Sequence, residues 1–445
     1  MFYINKDTEL TKELLEKMIQ KFKVEVEPKR KKYKNYFDGV QKILLKEYVD
    51  KSKPCNKTVI NYCQSIAVSY AGYIAAPNHI SYKSNDDITD IMEILKYNDV
   101  AAEDAAFLLD ALIYGTAAEL MYFDSAGQTR FRLINPLTCF GIYDDSLTGD
   151  LLYFVRIYRE NEWDNTDIYL VDVYSNTGIK HYKMSGFSGF LLPIGTGEEE
   201  PHYFSQCPAN LFSLPDEKSI FDCIMSKQDS INELISAEID DYNAFCDAYL
   251  VLMGADLLPE DVADMKQNRV LVLPDGASAN WLTKNANDTQ VENIRKFLHD
   301  SIYRDAQCPD FSSETFVGGV SSGIAIQYRL TGMETRAGVI ESLMKKALQR
   351  RIEIICGVAS LKMGDYVFRD IEIDFKRNIP EDLTSIINVA NSLKGTVSDA
   401  TLLSQIPFIT DINAELEAVK AQKEENLSLY SFAPAASNDE DEVEE

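Results

Sequence analysis

Residues 219–249 read SIFDCIMSKQDSINELISAEIDDYNAFCDAY. Ile224, Ile231, Ile235, Ile239, Tyr242, Cys246 and Tyr249 recur at steps of seven, four and three, which predicts one long helix. Asp229, Glu233, Asp240 and Asp247 fall on one side of that helix, and from 229 to 249 it carries no Lys or Arg. A solvated face usually mixes signs. A stripe of one sign is tolerable where it lines a water-filled passage whose contents are also anionic, because such a wall repels a polyanion and does not hold it.

The chain beyond this helix is equally organised. Residues 251–286 form a small island punctuated by Gly254, Pro259, Pro274 and Gly276, with a short strand over 269–273. A second helix begins near Thr289, where Thr289 and Glu292 have capping-box spacing, and ends at Cys308-Pro309. Residues 310–322 are a polar, Gly-rich loop. A very long helix runs over 323–355 with a buried stripe of Leu343, Met344, Ala347, Leu348, Ile354 and Ile355, and a strand over 366–376 returns. Short helices come next at 381–393, 399–405 and 412–425, with Gly395 as a C-cap. The last nine residues, SNDEDEVEE, hold six acids and are expected to be disordered.

The half before the helix is different. Residues 1–50 read as helical, with Leu14, Leu15, Met18, Ile19 and Phe22 at helical spacing and a basic cluster of Lys29, Arg30, Lys31, Lys32 and Lys34. Further helices are expected over 56–76 and 99–114. The period then becomes two. Strands at 117–123, 129–134, 138–143, 151–159, 167–174 and 179–184, separated by Asp/Asn/Gly turns, predict one antiparallel meander. The fold class is therefore α+β.

Composition excludes several classes. The chain has 445 residues, about three domains by the usual prior, and a formal charge of −27. So acidic a surface does not coat itself with nucleic acid, and any contact with DNA must be local or non-adhesive. No stretch is long and apolar enough to span a membrane, and the opening MFYINKDTEL does not read as a signal peptide. The eight cysteines are dispersed without C-x-x-C, as expected of buried thiols in a reducing compartment. There is no phosphate-loop motif, no H-E-x-x-H and no G-x-S-x-G. Asp370, Glu372 and Asp374 alternate with Ile371, Ile373 and Phe375, a pattern that suits a half-buried strand better than a two-metal nuclease.

The order of α+β body, long helix, island, helix, Gly-rich loop, very long helix, return strand and helical end resembles the portal proteins of tailed bacteriophages. The branch is the one common among long-tailed phages of Gram-positive hosts. The likeness is carried by Asn61-Tyr62 with 72–77 (GYIAAP), by 114–117 (YGTA) through Met121-Tyr122, Asn135-Pro136 and 142–145 (IYDD). It continues in 309–311 (PDF) with Phe316 and 322–325 (SGIA), and in 377–380 (RNIP), Val397-Ser398, Leu402-Leu403 and Pro407-Phe408. It runs from about 55 to 425. It departs at Ala76, where the family often has Gly, and over the opening 30 residues and the acidic tail.

The resemblance implies a portal-like subunit. Its α/β wing would comprise 1–222, with N-terminal helices and the antiparallel meander, and 323–378, with the long helix and return strand. Stem helices at 223–250 and 287–307 would surround a channel lined by Asp229, Glu233, Asp240 and Asp247. A small α/β clip would fill 251–286 and a helical crown 379–428, leaving 429–445 as the disordered acidic tail. A tunnel loop at 308–322 would place Asp310, Phe311, Ser312, Ser313, Glu314, Thr315, Phe316, Val317, Gly318 and Gly319 against DNA.

The implied function is a ring, usually of twelve subunits, at one capsid vertex. It would conduct double-stranded DNA during packaging and ejection and dock the packaging motor and the neck. The expected partners are further copies of the chain, DNA, the terminase large subunit, a neck adaptor, scaffolding protein and the major capsid protein. Neither a cofactor, a metal, a membrane nor an enzymatic activity is expected. The place of action would be the virion, after assembly in the host cytoplasm. Two other readings stand beside it: another virion connector or structural protein, and a metal-dependent nuclease using the Asp370–Glu372–Asp374 trio.

Overall fold

A computed structural model describes residues 2–49, 54–161, 163, 167–186, 189–245, 249–253, 276, 278–282, 288–313, 323–362, 366–377, 391–404 and 415–423. The chain divides into two compact units, residues 1–320 with 327–378 and residues 321–326 with 379–445.

The first unit opens with a strand, where helix was expected. β1 (Phe2–Ile4) pairs in parallel with β5 (Cys139–Asp144), placing Phe2 opposite Ile142. Only three residues long, it offers too little alternation to be read in advance. The chain then forms α1 (Lys12–Lys21), capped by the Thr11 hydroxyl, a π-turn at Phe22–Val26 and α2 (Glu27–Phe37).

Helix α1 lays Leu15, Met18 and Ile19 on the sheet made by β5, β6 (Leu151–Arg159), β7 (Ile168–Tyr174) and β8 (Gly178–Ser185). The alternating residues Phe140/Ile142, Val155/Ile157 and Val171/Val173 supply the other half of this core. Each such side chain contributes about 1.5–3 kcal/mol by leaving water. Two short strands, β9 (Leu192–Pro193) and β10 (Glu200–Pro201), close the sheet on β8.

The expected single meander is in fact two sheets. β3 (Thr116–Phe123) and β4 (Thr129–Ile134) form a hairpin that joins β11 (Ala209–Ser213) in the order β11-β3-β4. The break falls at Asn135-Pro136, where a 3-10 turn over Pro136–Thr138 redirects the chain and the proline offers no ladder donor. Alternation marks strands but not the sheet to which each belongs. The smaller sheet packs Ala118, Leu120 and Ala209 against Cys139, Phe154 and Tyr174 on the far face of the larger one.

Behind the smaller sheet lie α3 (Tyr62–Ala75), α5 (Val100–Tyr114) and the 40-residue α8 (Gly323–Lys362); α4 (Thr89–Tyr97) precedes α5. Helix α5 ends on Gly115 at φ 79°, where a Cβ would stand 2.4 Å from the Glu217 carbonyl carbon, so only glycine fits. The wholly buried Arg351 of α8 forks onto Glu119 of β3, with Nε 2.9 Å from Oε1 and Nη2 2.8 Å from Oε2. It also pairs with Asp104 of α5 and stands 4.6 Å from the Phe131 ring.

The return strand is shorter than expected. Residues Phe368–Asp370 make a 3-10 turn, and β14 (Glu372–Phe375) pairs antiparallel with β2 (Ile80–Lys83). Asp370 thus leaves the strand, and Asp374 pairs with Lys83 at 3.0 Å, so the three acids do not form one carboxylate face. Among the described residues no group of three or more His, Cys, Asp or Glu is arranged to hold a metal. The basic cluster is largely spent within the fold. Buried Arg30 donates to the carbonyls of Pro136 (2.6 Å) and Cys139 (3.0 Å), and Lys29 to those of Asp216 and Glu217.

In the second unit, α9 (Asp399–Ser404) is capped by the Ser398 hydroxyl, which accepts the Thr401 N–H. Gly395, at φ 88°, closes the short helical turn before it.

Candidate functional site

The long helix decides the site. α6 (Met225–Phe245) begins after a 3-10 turn at Asp222–Ile224, a few residues later than the periodicity suggests. It ends before Tyr249, which already belongs to β12 (Tyr249–Met253). β12 pairs antiparallel with β13 (Ser278–Leu282), bringing Val251 opposite Asn280. α7 (Asp288–Ala306) comes next, opening one residue before the expected cap. The arrangement is helix, antiparallel strand pair, helix. The strand expected at 269–273 lies outside the described residues.

α6 is held by a polar ladder that hydrophobic periodicity does not reveal. Gln228, Asn232, Ser236 and Asp240 recur every four residues, and the first three are fully buried. Each presents an oxygen to one backbone N–H of the preceding segment. Tyr62 donates to Gln228 Oε1 (3.1 Å), Ile60 to Asn232 Oδ1 (3.0 Å), Thr58 to Ser236 Oγ (3.0 Å) and Asn56 to Asp240 Oδ1 (2.6 Å). Residues 56–61 therefore run extended and antiparallel to the helix. Four helical residues rise about 6 Å and two extended residues about 6.6 Å, so the two repeats stay in step over four rungs. Gln41 joins from the side, its Oε1 accepting Asn232 Nδ2 at 2.5 Å.

This ladder corrects two expectations. The helix expected from 56 starts at Tyr62, capped by the Asn61 side chain, because 56–61 are strapped along α6. The acidic stripe also divides. Asp240 is only 8% exposed and takes Asn56, Tyr48 (3.2 Å) and Lys46 (3.4 Å) as partners. Burial opposes its charge, but these donors outweigh burial and hold its carboxyl below the usual range. Asp229 is half-buried and accepts the Tyr36 hydroxyl at 2.8 Å. Neither faces open solvent. Glu233 is exposed, and Asp247 lies outside the described residues. The exposed face is instead Ser226, Ser230, Glu233, Ala237 and Asp241. The seven-residue repeat of acids crosses a buried polar seam, and the signal that marks the seam is the four-residue repeat Gln–Asn–Ser–Asp.

α7 packs beside the start of α6. Lys227 pairs with Asp305, and its ammonium also reaches the Ser301 carbonyl at 3.5 Å. Its other side is open: Ile294 is 43% and Phe297 63% exposed. An aromatic trio of Tyr62, His299 and Tyr303, with ring centres 5.1–5.7 Å apart, joins α7 to α3.

The end of α7 is the fixed root of the Gly-rich loop. Arg336 of α8 donates to the carbonyls of Ala306 (2.9 Å) and Ile220 (2.7 Å), and the Tyr70 hydroxyl to those of Ala306 and Gln307 (both 3.0 Å). Asp310 folds the first residues of the loop into a turn, its Oδ1 accepting the Ser312 N–H (3.0 Å) and hydroxyl (2.6 Å). Phe311 is 41% exposed, and Ser313 reaches the Asp310 carbonyl through its hydroxyl (2.8 Å). Glu314, Thr315, Phe316, Val317, Gly318 and Gly319 lie outside the described residues.

Among the described residues no helix is long and apolar enough to cross a membrane. No curated protein matches the chain. Residues 17–428 match the family described as phage portal protein, SPP1 Gp6-like. The match takes in the sheets, the strapped helix, the strand pair and the loop root together, and the chain therefore belongs to the Gp6-like family of phage portal proteins and is itself a phage portal protein.

Proposed function

We propose that twelve copies of this chain form a ring at the capsid portal vertex, with α6 and α7 as the stem around a DNA channel. Residues 251–286 would serve as the clip, 308–322 as the tunnel loop, 323–378 with 1–222 as the wing and 379–428 as the crown. The observation that carries this division is the order of α6, β12–β13 and α7, followed by a loop rooted on Arg336 and Tyr70. The open apolar side chains of α7, Ile294 and Phe297, favour burial against a second copy.

The channel-lining role rests on Glu233 of the exposed α6 face, with Asp247 further along. Asp229 and Asp240 act behind that face, as anchors of the N-terminal segment. Asp310, Phe311, Ser312 and Ser313 lead the loop from its root towards the lumen, where 314–319 would touch DNA. The subunit carries no catalysis of its own. DNA, the terminase motor, a neck adaptor, scaffolding protein and the major capsid protein are its partners, and assembly takes place in the host cytoplasm.

The test is DNA packaging into proheads carrying Glu233→Lys rings. A ring of cations inside the stem would hold phosphates, and packaging should slow severalfold, most strongly at low salt. Packaging at the normal rate from intact Glu233→Lys rings would show that this face of α6 does not see the DNA.

A further inference from the structure

The β11 edge of the smaller sheet is recessed. In the β11–β3 register, Pro208 accepts the Met121 N–H (2.8 Å) and Leu214 donates to Gly115 (2.9 Å). The backbone groups of the even-numbered residues therefore point to β3, and those of Leu211 and Ser213 point away from it. Among the described residues no strand pairs with that outer edge.

The edge lies along a cleft of about 850 Å³. One wall is the larger sheet, represented by Tyr143 and Leu151, and the other is α8, with Lys345 and Lys346 at the lip. Both lysines are exposed, and neither makes an ion pair among the described residues. In a chain of net charge −27, two adjacent unpaired cations beside open strand donors are a specific combination.

We infer that this cleft is a β-augmentation site for one extended, acidic segment of a partner protein. A second sheet could not enter, because layers stand on both sides of the edge. A single strand would fit, taking backbone bonds from Leu211 and Ser213. Side chains at alternate positions would face Tyr143 and Leu151 on one side and α8 on the other. The lysines select carboxylates on the α8 side, and the apolar wall selects a β-branched residue on the other.

The test uses full-length protein and two labelled eight-residue peptides, one alternating Glu and Val, the other Lys and Val, read by fluorescence anisotropy. The acidic peptide should bind saturably and at least tenfold more tightly than the basic one. Lys345→Glu with Lys346→Glu should reverse that preference. Leu211→Pro removes an outward N–H, which an edge strand tolerates, together with a side chain packed between the two sheets. Leu211→Ala, which loses the side chain but keeps the N–H, is its control: the proline variant should bind at least tenfold more weakly than the alanine variant, with the same circular dichroism spectrum. Absence of saturable binding, equal affinity for the two peptides, or binding indifferent to both the charge reversal and the proline would overturn the proposal. Binding by the free subunit that vanishes in the assembled ring would also overturn it, by giving the cleft to a neighbouring copy.

Discussion

The N–H of Ile60 donates to Asn232 Oδ1 at 3.0 Å, joining an extended segment of the N-terminal region to the middle of α6. It is one of four rungs that repeat at two residues on one strand and four on the other. Through them the helix holds the main chain of 56–62 largely without regard to its side chains. The same rungs fix the rotation of α6, so that Gln228, Asn232, Ser236 and Asp240 turn inwards and Glu233 turns out.

Asn232→Leu should be costly. It takes their buried partner from the Ile60 N–H, the Gln41 amide oxygen and one N–H of the Gln228 amide, a loss of about 2–4 kcal/mol. Chemical denaturation of the free subunit measures it. Hydrogen exchange should also show alternation, with the amides of Asn56, Thr58, Ile60 and Tyr62 slow and those of Lys57 and Val59 fast. Uniform exchange through 56–62 would contradict the ladder.

Arg351→Met should be more damaging still. It strands Glu119 and Asp104 in a site that water does not reach, and breaking such a network typically costs about 3–5 kcal/mol. Adding Glu119→Gln and Asp104→Asn should recover much of the loss. Arg351→Lys should not, because an ammonium cannot reproduce the fork onto Glu119. The yield of soluble protein and the thermal midpoint distinguish these cases.

Asp110 supplies a pH test. Burial pushes its carboxyl up to about 6, against a weaker opposing pull from Lys34. A carboxyl whose pKa is raised on folding favours the folded state while protonated. Its contribution is therefore full below the unfolded pKa near 4 and is lost as pH rises through about 6. Asp110→Asn should change stability little at pH 4 and raise it by about 1–3 kcal/mol at pH 8. A variant equally stable relative to wild type at both pH values would contradict this.

Much of the fold is legible in the sequence. The turn at Gly115 and the strands from 116 to 185 follow from glycine chemistry and period-two alternation, and the span of α8 from its apolar stripe. Each feature that is not legible has a physical reason. β1 and β2 are too short to show a period, and their pairing with β5 and β14 joins residues far apart in sequence. Arg351 reads as a surface charge until Glu119 and Asp104 are seen to converge on it.

The candidate site is legible in part. Helical spacing finds α6, but Val59 and Ile60 also suit a helix, which hides the strap. Reading acids alone groups Asp240 with Glu233, whereas their environments are opposite: one has hydrogen-bonded partners and the other faces solvent. A polar residue every four positions on an otherwise mixed helix is the pattern that marks the seam.

A cryo-electron microscopy map of the assembled protein, viewed along its axis, tests the stem assignment most directly. The expected map is a twelve-subunit ring whose central hole is lined by α6, with Glu233 facing the lumen and Asp240 turned away beneath Lys46, Tyr48 and Asn56. A closed dimer, or a ring in which α6 lies outside the lumen or has shed its strap, would contradict it.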